Sequence, residues 1–91
     1  MILSNKKQNR IQIAKAISTN LLLRNSADEL FNYINNLETS EIIIDFQKVQ
    51  SITRTFAHQY LLNKEKSNKI INNVNLSPNI KNMFELIRKR I

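Results

Sequence analysis

The chain has 91 residues, too few for more than one domain and enough for one modest hydrophobic core. It carries a formal net charge of +7 and contains neither cysteine nor glycine. Those absences exclude disulfides, cysteine nucleophiles, thiolate metal sites and the glycine-rich loops that cradle phosphates in nucleotide-binding folds.

Hydrophobic residues make up 42% of the chain and recur periodically, which argues for a folded domain. The segment Met1–Arg10 is polar and lacks the apolar run of a signal peptide. No stretch approaches the ~18 apolar residues that a membrane helix needs, so a soluble cytoplasmic protein without membrane partners is expected. The basic balance has two readings. It suits an anionic partner such as nucleic acid, an acidic protein or a membrane surface. It also suits a lysine-rich composition favoured by AT-rich codons, since the cations are scattered along the chain rather than clustered.

Residues 1–10 are expected to form a flexible lead-in and residues 11–91 the domain. Arg10-Ile11-Gln12-Ile13-Ala14-Lys15-Ala16 alternates polar and apolar, which predicts a half-buried strand. Ser18-Thr19-Asn20 signals a turn, and Leu21-Leu22-Leu23 a second extended piece that could pair back on the first. Ser26-Ala27-Asp28-Glu29 has the form of a capping box, with two acids suited to the positive end of a helix. The helix it opens would bury Ala27, Leu30, Phe31, Ile34 and Leu37, and Asn35-Asn36 would weaken its end.

Glu41 to Phe46 holds three consecutive isoleucines, the pattern of a central parallel strand buried on both faces. Thr53 or Thr55 can cap the following helix, whose buried face would be Phe56, Ala57, Tyr60 and Leu61. Lys69 to Val74 reads as a third strand. Ser77-Pro78 then marks a helix start, with proline at the first helical position. That last helix spaces Ile80, Met83, Phe84, Ile87 and Ile91 along one side. Arg88-Lys89-Arg90 suits the negative end of its dipole. Strands alternating with helices predict a small α/β domain built on a single, mostly parallel sheet.

Three stretches carry a resemblance. Leu23-Arg24-Asn25-Ser26-Ala27 leads into the first long helix. Ile43-Ile44-Asp45-Phe46-Gln47-Lys48-Val49 leads into Ile52-Thr53-Arg54-Thr55-Phe56-Ala57. Val74-Asn75 and Ile80-Lys81-Asn82-Met83 follow. Together they resemble the STAS-like family of unknown function, small domains related to the sulfate-transporter and anti-sigma-factor-antagonist fold. The likeness spans roughly residues 11–90, and its most specific part is the Asp-Phe-x-x-Val…Ile-x-x-x-Phe-Ala pattern. The family's usual glycine after Asp-Phe-x is Lys48 here, and His58-Gln59 stand where Asp-Glu is typical.

The resemblance implies a STAS-like fold and a working surface at the strand-to-helix loop. In anti-sigma-factor antagonists that loop holds an Asp-Ser-Ser in which a serine is phosphorylated by a partner kinase. The matching positions are Thr53, Arg54 and Thr55, so a hydroxyl is kept and the aspartate is not. What is expected is therefore a non-catalytic regulatory or protein-interaction module, with a kinase-like or sensor protein as partner. Ser51, Thr53, Arg54, Thr55, His58 and Gln59 form its candidate contact or switch surface, and phosphorylation within 51–55 is its candidate control.

Asp45 is expected to accept loop amides and fix the turn before Ser51. A receiver-type phosphoacceptor role would need an acidic pair and a late-strand lysine, and the early strand supplies no acid. Arg24 is expected to steady an acidic partner or to pair with Asp28. His58 is the sole histidine and has no second ligand or triad partner at suitable spacing, so neither a metal site nor a catalytic centre is expected, and no cofactor. The rival reading is a basic nucleic-acid-binding accessory protein, although no aromatic–basic recognition motif or helix-turn-helix pattern is present.

Overall fold

A computed structural model describes residues 9–89. Most of the expected lead-in, residues 1–8, lies outside the described residues, as do Arg90 and Ile91. Asn9 and Arg10 already belong to the domain, since the Asn9 carbonyl accepts from the Ile43 amide and Arg10 opens the first strand.

The strand predicted over 10–16 is cut short. β1 covers Arg10–Gln12, and the chain then turns into a single helical turn, α1, Ile13–Ala16. Ile11 and Ile13 are buried in both elements, so their alternation does not separate strand from helix. Ala14-Lys15-Ala16 are strong helix formers and decide the outcome. β2 is Asn20–Leu21, and of the three leucines only Leu21 is buried.

α2 runs Arg24–Asn35 and begins two residues before Ser26. The expected capping box therefore does not form. Leu23 occupies the cap position without a side-chain bond, and Ser26 donates its amide to the Leu23 carbonyl inside the first turn. The buried face is as expected, with Ala27, Leu30, Phe31 and Ile34 facing the core and Asn36 ending the helix, but Asp28 and Glu29 fall beyond the first turn rather than at the positive end of the dipole. Leu37 is buried just past the end.

β3, Glu41–Asp45, is the central strand. Ile42 and Ile44 are fully buried, whereas Ile43 is only half-buried, so one face of β3 is not sealed as the isoleucine run suggested. β4 is Ser51–Ile52, α3 is Arg54–Lys66, β5 is Ile70–Val74 and α4 is Pro78–Arg88. Pro78 sits at the start of α4 as expected, but the Ser77 hydroxyl donates to the Asn79 side chain instead of capping an amide.

The fold is α/β with parallel strands, as the sequence predicts, but the strands form two small sheets rather than one. One sheet has the order β1-β3-β5, with Gln12 and Val74 flanking Asp45 in register. The other pairs β2 with β4, Leu21 opposite Ile52, instead of pairing the leucine segment with β1. No helix among the described residues is long and apolar enough to cross a membrane.

Tyr60 is the centre of the core. It is fully buried, and its ring meets all four phenylalanines of the chain, Phe31, Phe46, Phe56 and Phe84, at centroid distances of 5.3–6.1 Å. Those separations are in the range of favourable ring contacts. Burial pushes the Tyr60 hydroxyl above its ordinary pKa, so it stays protonated and donates to the Asn73 side-chain oxygen on β5. Through this one residue α3 is joined to α2, to the end of β3, to β5 and to α4. That packing sets where α3 begins, and with it the loop that precedes it.

Candidate site at the loop between β3 and α3

Asp45 closes β3 and is 2% exposed, the only buried charged residue among those described. Its carboxylate is fully used. Oδ1 accepts from the Gln47 amide and from Asn75 Nδ2, each at 2.9 Å. Oδ2 accepts from Arg10 Nη2 at 2.9 Å, in an ion pair with a half-exposed guanidinium. The Asn75 bond most of all, then the Gln47 amide and Arg10, hold the carboxyl below the usual carboxylate range, against the opposing effect of burial. Asp45 thus anchors the turn as expected, but it also ties the edge strand β1 and the exit of β5 to the end of the central strand. Sequence reading missed Arg10 and Asn75 in this role. Arg10 lies 35 residues away, and no local pattern points to it. Asn75 left a faint trace, because asparagine tolerates the left-handed conformation and a glycine-free chain must fill such positions otherwise.

Two described residues hold positive φ, Lys48 at 71° and Asn75 at 58°. Lys48 lies three residues after Asp45, and Asn75, 30 residues on, bonds the Asp45 carboxylate. Lys48 reverses the chain after Phe46-Gln47, and Val49 closes the turn by donating its amide to the Phe46 carbonyl at 3.1 Å. Val49 is then buried, which leads the chain into β4.

The loop rejoins the body through paired hydroxyls. Ser51 donates to the Asn20 side chain at 2.7 Å. Thr53 is the cap of α3: its Oγ1 accepts from the Phe56 amide at 3.1 Å and donates to the Leu22 carbonyl at 2.9 Å. Its amide donates to the Leu21 carbonyl at 2.9 Å. The cap is therefore Thr53 and not Thr55. Thr53 follows directly on β4, and its hydroxyl is held between the first turn of α3 and the end of β2.

Arg54 and Thr55 form the first helical positions of α3, and both are exposed. His58 is exposed one turn further on. Gln59 is half-buried: its amide donates to Asp28 Oδ1 at 3.0 Å and to Asn63 Oδ1 at 3.1 Å. Asn63 donates to the same Asp28 oxygen at 2.9 Å. Near the other ends of the two helices Ser67 donates to Asn35 at 2.7 Å, so α2 and α3 lie side by side and run the same way. This arrangement corrects the expected Arg24–Asp28 pair. The Asp28 carboxylate turns to α3, where two amides hold it, and Arg24 stands exposed at the start of α2.

The loop surface therefore combines Arg54, Thr55 and His58 from α3 with Arg24 from α2. Leu22 and Leu23, 52% and 64% exposed, lie between the two helix starts. Neither helix carries an acid in its first turn, so this surface is basic and partly apolar. A cleft of about 800 Å³ lies elsewhere, between β1, α1 and α2, and is lined by residues that include Arg10, Lys15, Ser26, Glu29 and Tyr33. No group of three or more His, Asp or Glu residues comes together among the described residues.

Comparison with protein-family models, with curated proteins and with solved structures returned no match.

Two outcomes follow from the hydrogen bonds. Asp45→Asn is expected to lower unfolding stability by about 1–3 kcal/mol at neutral pH. Because the folded-state pKa of Asp45 is depressed, its contribution is present above the ordinary carboxylate range and lost as pH falls through the folded value. Denaturant titrations between neutral pH and pH ~3 should therefore show the two proteins converging in stability as pH falls below about 4. Thr53→Val is expected to cost about 1 kcal/mol. Thr55→Val should stay within about 0.5 kcal/mol of the parent. Equal losses in the two variants, read by thermal unfolding, would reverse the assignment of the cap.

Proposed function

We propose that this chain is a non-catalytic interaction module of STAS-like type that docks a protein partner through the loop 51–55 and the adjoining starts of α2 and α3. The observation that carries the reading is the division of labour between the two threonines. The Thr53 hydroxyl is committed to the fold, while Arg54, Thr55 and His58 face solvent beside the exposed pair Leu22-Leu23. An exposed apolar pair ringed by polar and charged groups is the usual anatomy of a contact surface, with apolar anchors inside a polar rim. The charges set the partner's character. With Arg24 and Arg54 at two helix starts and no acid in either first turn, the complementary partner is acidic around an apolar centre.

Lys48 lends support to the STAS-like reading. Where the resembled family has glycine, this chain places lysine at φ 71°, the conformation that glycine adopts most freely. The position thus has the backbone geometry the family's residue would serve, although the residue differs.

Thr55 is the candidate control point. A phosphate on its hydroxyl would lie at the amino end of α3, where free amides and the helix dipole favour negative charge, with Arg54 beside it. It would also turn a basic surface towards neutrality and weaken an acidic partner's hold. Gln59 plays the smaller part, because its amide is engaged with Asp28 and Asn63.

The test is affinity capture from the native cell with the parent chain and with the double variant Arg54→Glu, Thr55→Glu. Both substitutions are at exposed positions, so the variant should fold. Loss of a specifically retained acidic partner supports the reading, and retention of every partner sinks the surface. Mass spectrometry of the chain from the same cells should find phosphate on Thr55 rather than Thr53, whose oxygen is held in the cap. Phosphate on neither threonine removes the control but not the docking surface.

A further inference from the structure

A second surface, on α3, β5 and α4 away from the loop, collects hydrogen-bond donors around a cleft of about 450 Å³. Lys64 comes from the last turns of α3, Lys81 and Arg88 from α4, and Asn73 from β5. Glu85 is the single acid in the lining. It forms no ion pair with these cations, the one described ion pair being Arg10–Asp45.

Three further observations single this cleft out. Lys64 is only half exposed, and burial, with the nearby Arg88 charge, depresses its pKa, so three cations converge here on a cleft that holds one acid, Glu85, paired with none of them. Asn73 gives its side-chain oxygen to the Tyr60 hydroxyl, which fixes the amide's orientation and leaves its NH2 as the end without a bonded partner. No described buried side-chain polar atom lacks a hydrogen bond, so that unbonded NH2 is not sealed in the core. The result is two ammonium groups, one guanidinium and one amide NH2 on a single concave surface, every one of them a donor.

We infer that this cleft binds a small phosphorylated anion, held by Lys64, Lys81 and Arg88 with the Asn73 amide as an oriented neutral donor. A phosphoryl group offers several acceptor oxygens and close to two negative charges, which matches three cations and an amide NH2 set against the one carboxylate of Glu85 better than a single carboxylate ligand does. The volume lies in the range of small-molecule pockets. The exposed backbone of a nucleic acid would need a longer track, and no aromatic side chain stands free beside the cleft to stack a base. Phe84, the aromatic in the lining, is buried against Tyr60. An anion here would also relieve the Lys64–Arg88 repulsion.

The experiment is amide chemical-shift titration of the full chain with inorganic pyrophosphate and, separately, with a short oligothymidylate. Pyrophosphate should give saturable shifts centred on Asn73, Lys64 and Arg88. Lys81→Gln with Arg88→Gln, both at exposed positions, should weaken it about tenfold to a hundredfold. Lys64→Met provides a variant with opposite signs: it should raise the midpoint of thermal unfolding by removing a poorly solvated charge, and weaken pyrophosphate binding. Arg54→Glu with Thr55→Glu should leave the titration unchanged, which separates this site from the docking surface. The inference is overturned if pyrophosphate produces no saturable shift. It is equally overturned if Lys64→Met leaves the affinity intact, or if the oligothymidylate saturates these residues while pyrophosphate does not.

Discussion

The bonds converging on the Asp45 carboxylate are the constraint on which the arrangement of this domain depends. A buried carboxylate is tolerable only when its oxygens are well supplied with donors, and here a backbone amide, a side-chain amide and a guanidinium supply them. Each donor comes from a different part of the chain: the edge strand β1, the turn after β3 and the residue that follows β5. One side chain therefore fixes the relative position of the three strand ends in the main sheet. The same carboxylate fixes the direction in which residues 47–50 leave it. β4, the Thr53 cap and α3 follow in sequence, so the candidate docking surface inherits its position from Asp45.

A second constraint is the absence of glycine. Two turns near the Asp45 carboxylate still require the left-handed conformation, and they are made by Lys48 and Asn75. Asparagine reaches that region at modest cost, and Asn75 spends its side chain on Asp45, so the strained residue is also a bonded one. Lys48 has no such compensation beyond the turn itself, closed by Val49. The chain thus holds its loop by side-chain hydrogen bonds where a glycine-containing relative of the same shape could rely on backbone freedom.

The sequence made the larger elements legible because they rest on local periodicity. The buried faces of α2, α3 and α4 follow the spacing of Ala27-Leu30-Phe31-Ile34, Phe56-Ala57-Tyr60 and Ile80-Phe84-Ile87, and the isoleucine run marks the central strand. What was not legible depends on partners distant in sequence. The division of the strands into two sheets follows from Leu21 meeting Ile52, not from any property of either segment alone. The capping box failed because β2 delivers the chain to the helix at Leu23, before Ser26 is reached. At the candidate site, the exposed loop and the anchoring aspartate could be read from residue type, whereas the choice of Thr53 over Thr55 as cap required the Leu22 carbonyl, 31 residues away. Gln59 looked like a surface residue until α2 placed Asp28 against it.

The two surfaces lie on different parts of this framework and differ in chemistry. The loop surface is basic with an apolar centre, which suits a folded or helical acidic partner. The cleft between α3, β5 and α4 gathers three cations and one acid, which suits a compact anion. Both are held in place by α3, whose one end follows the Asp45 turn and whose middle is fixed by Tyr60. The most direct measurement of the account is amide hydrogen exchange on the parent and on Asp45→Asn. If the carboxylate positions the loop, the amides of Phe46, Gln47 and Val49 lose protection in the variant while Tyr60 in α3 keeps it. Unchanged exchange at Gln47, or equal loss at Tyr60, would contradict it.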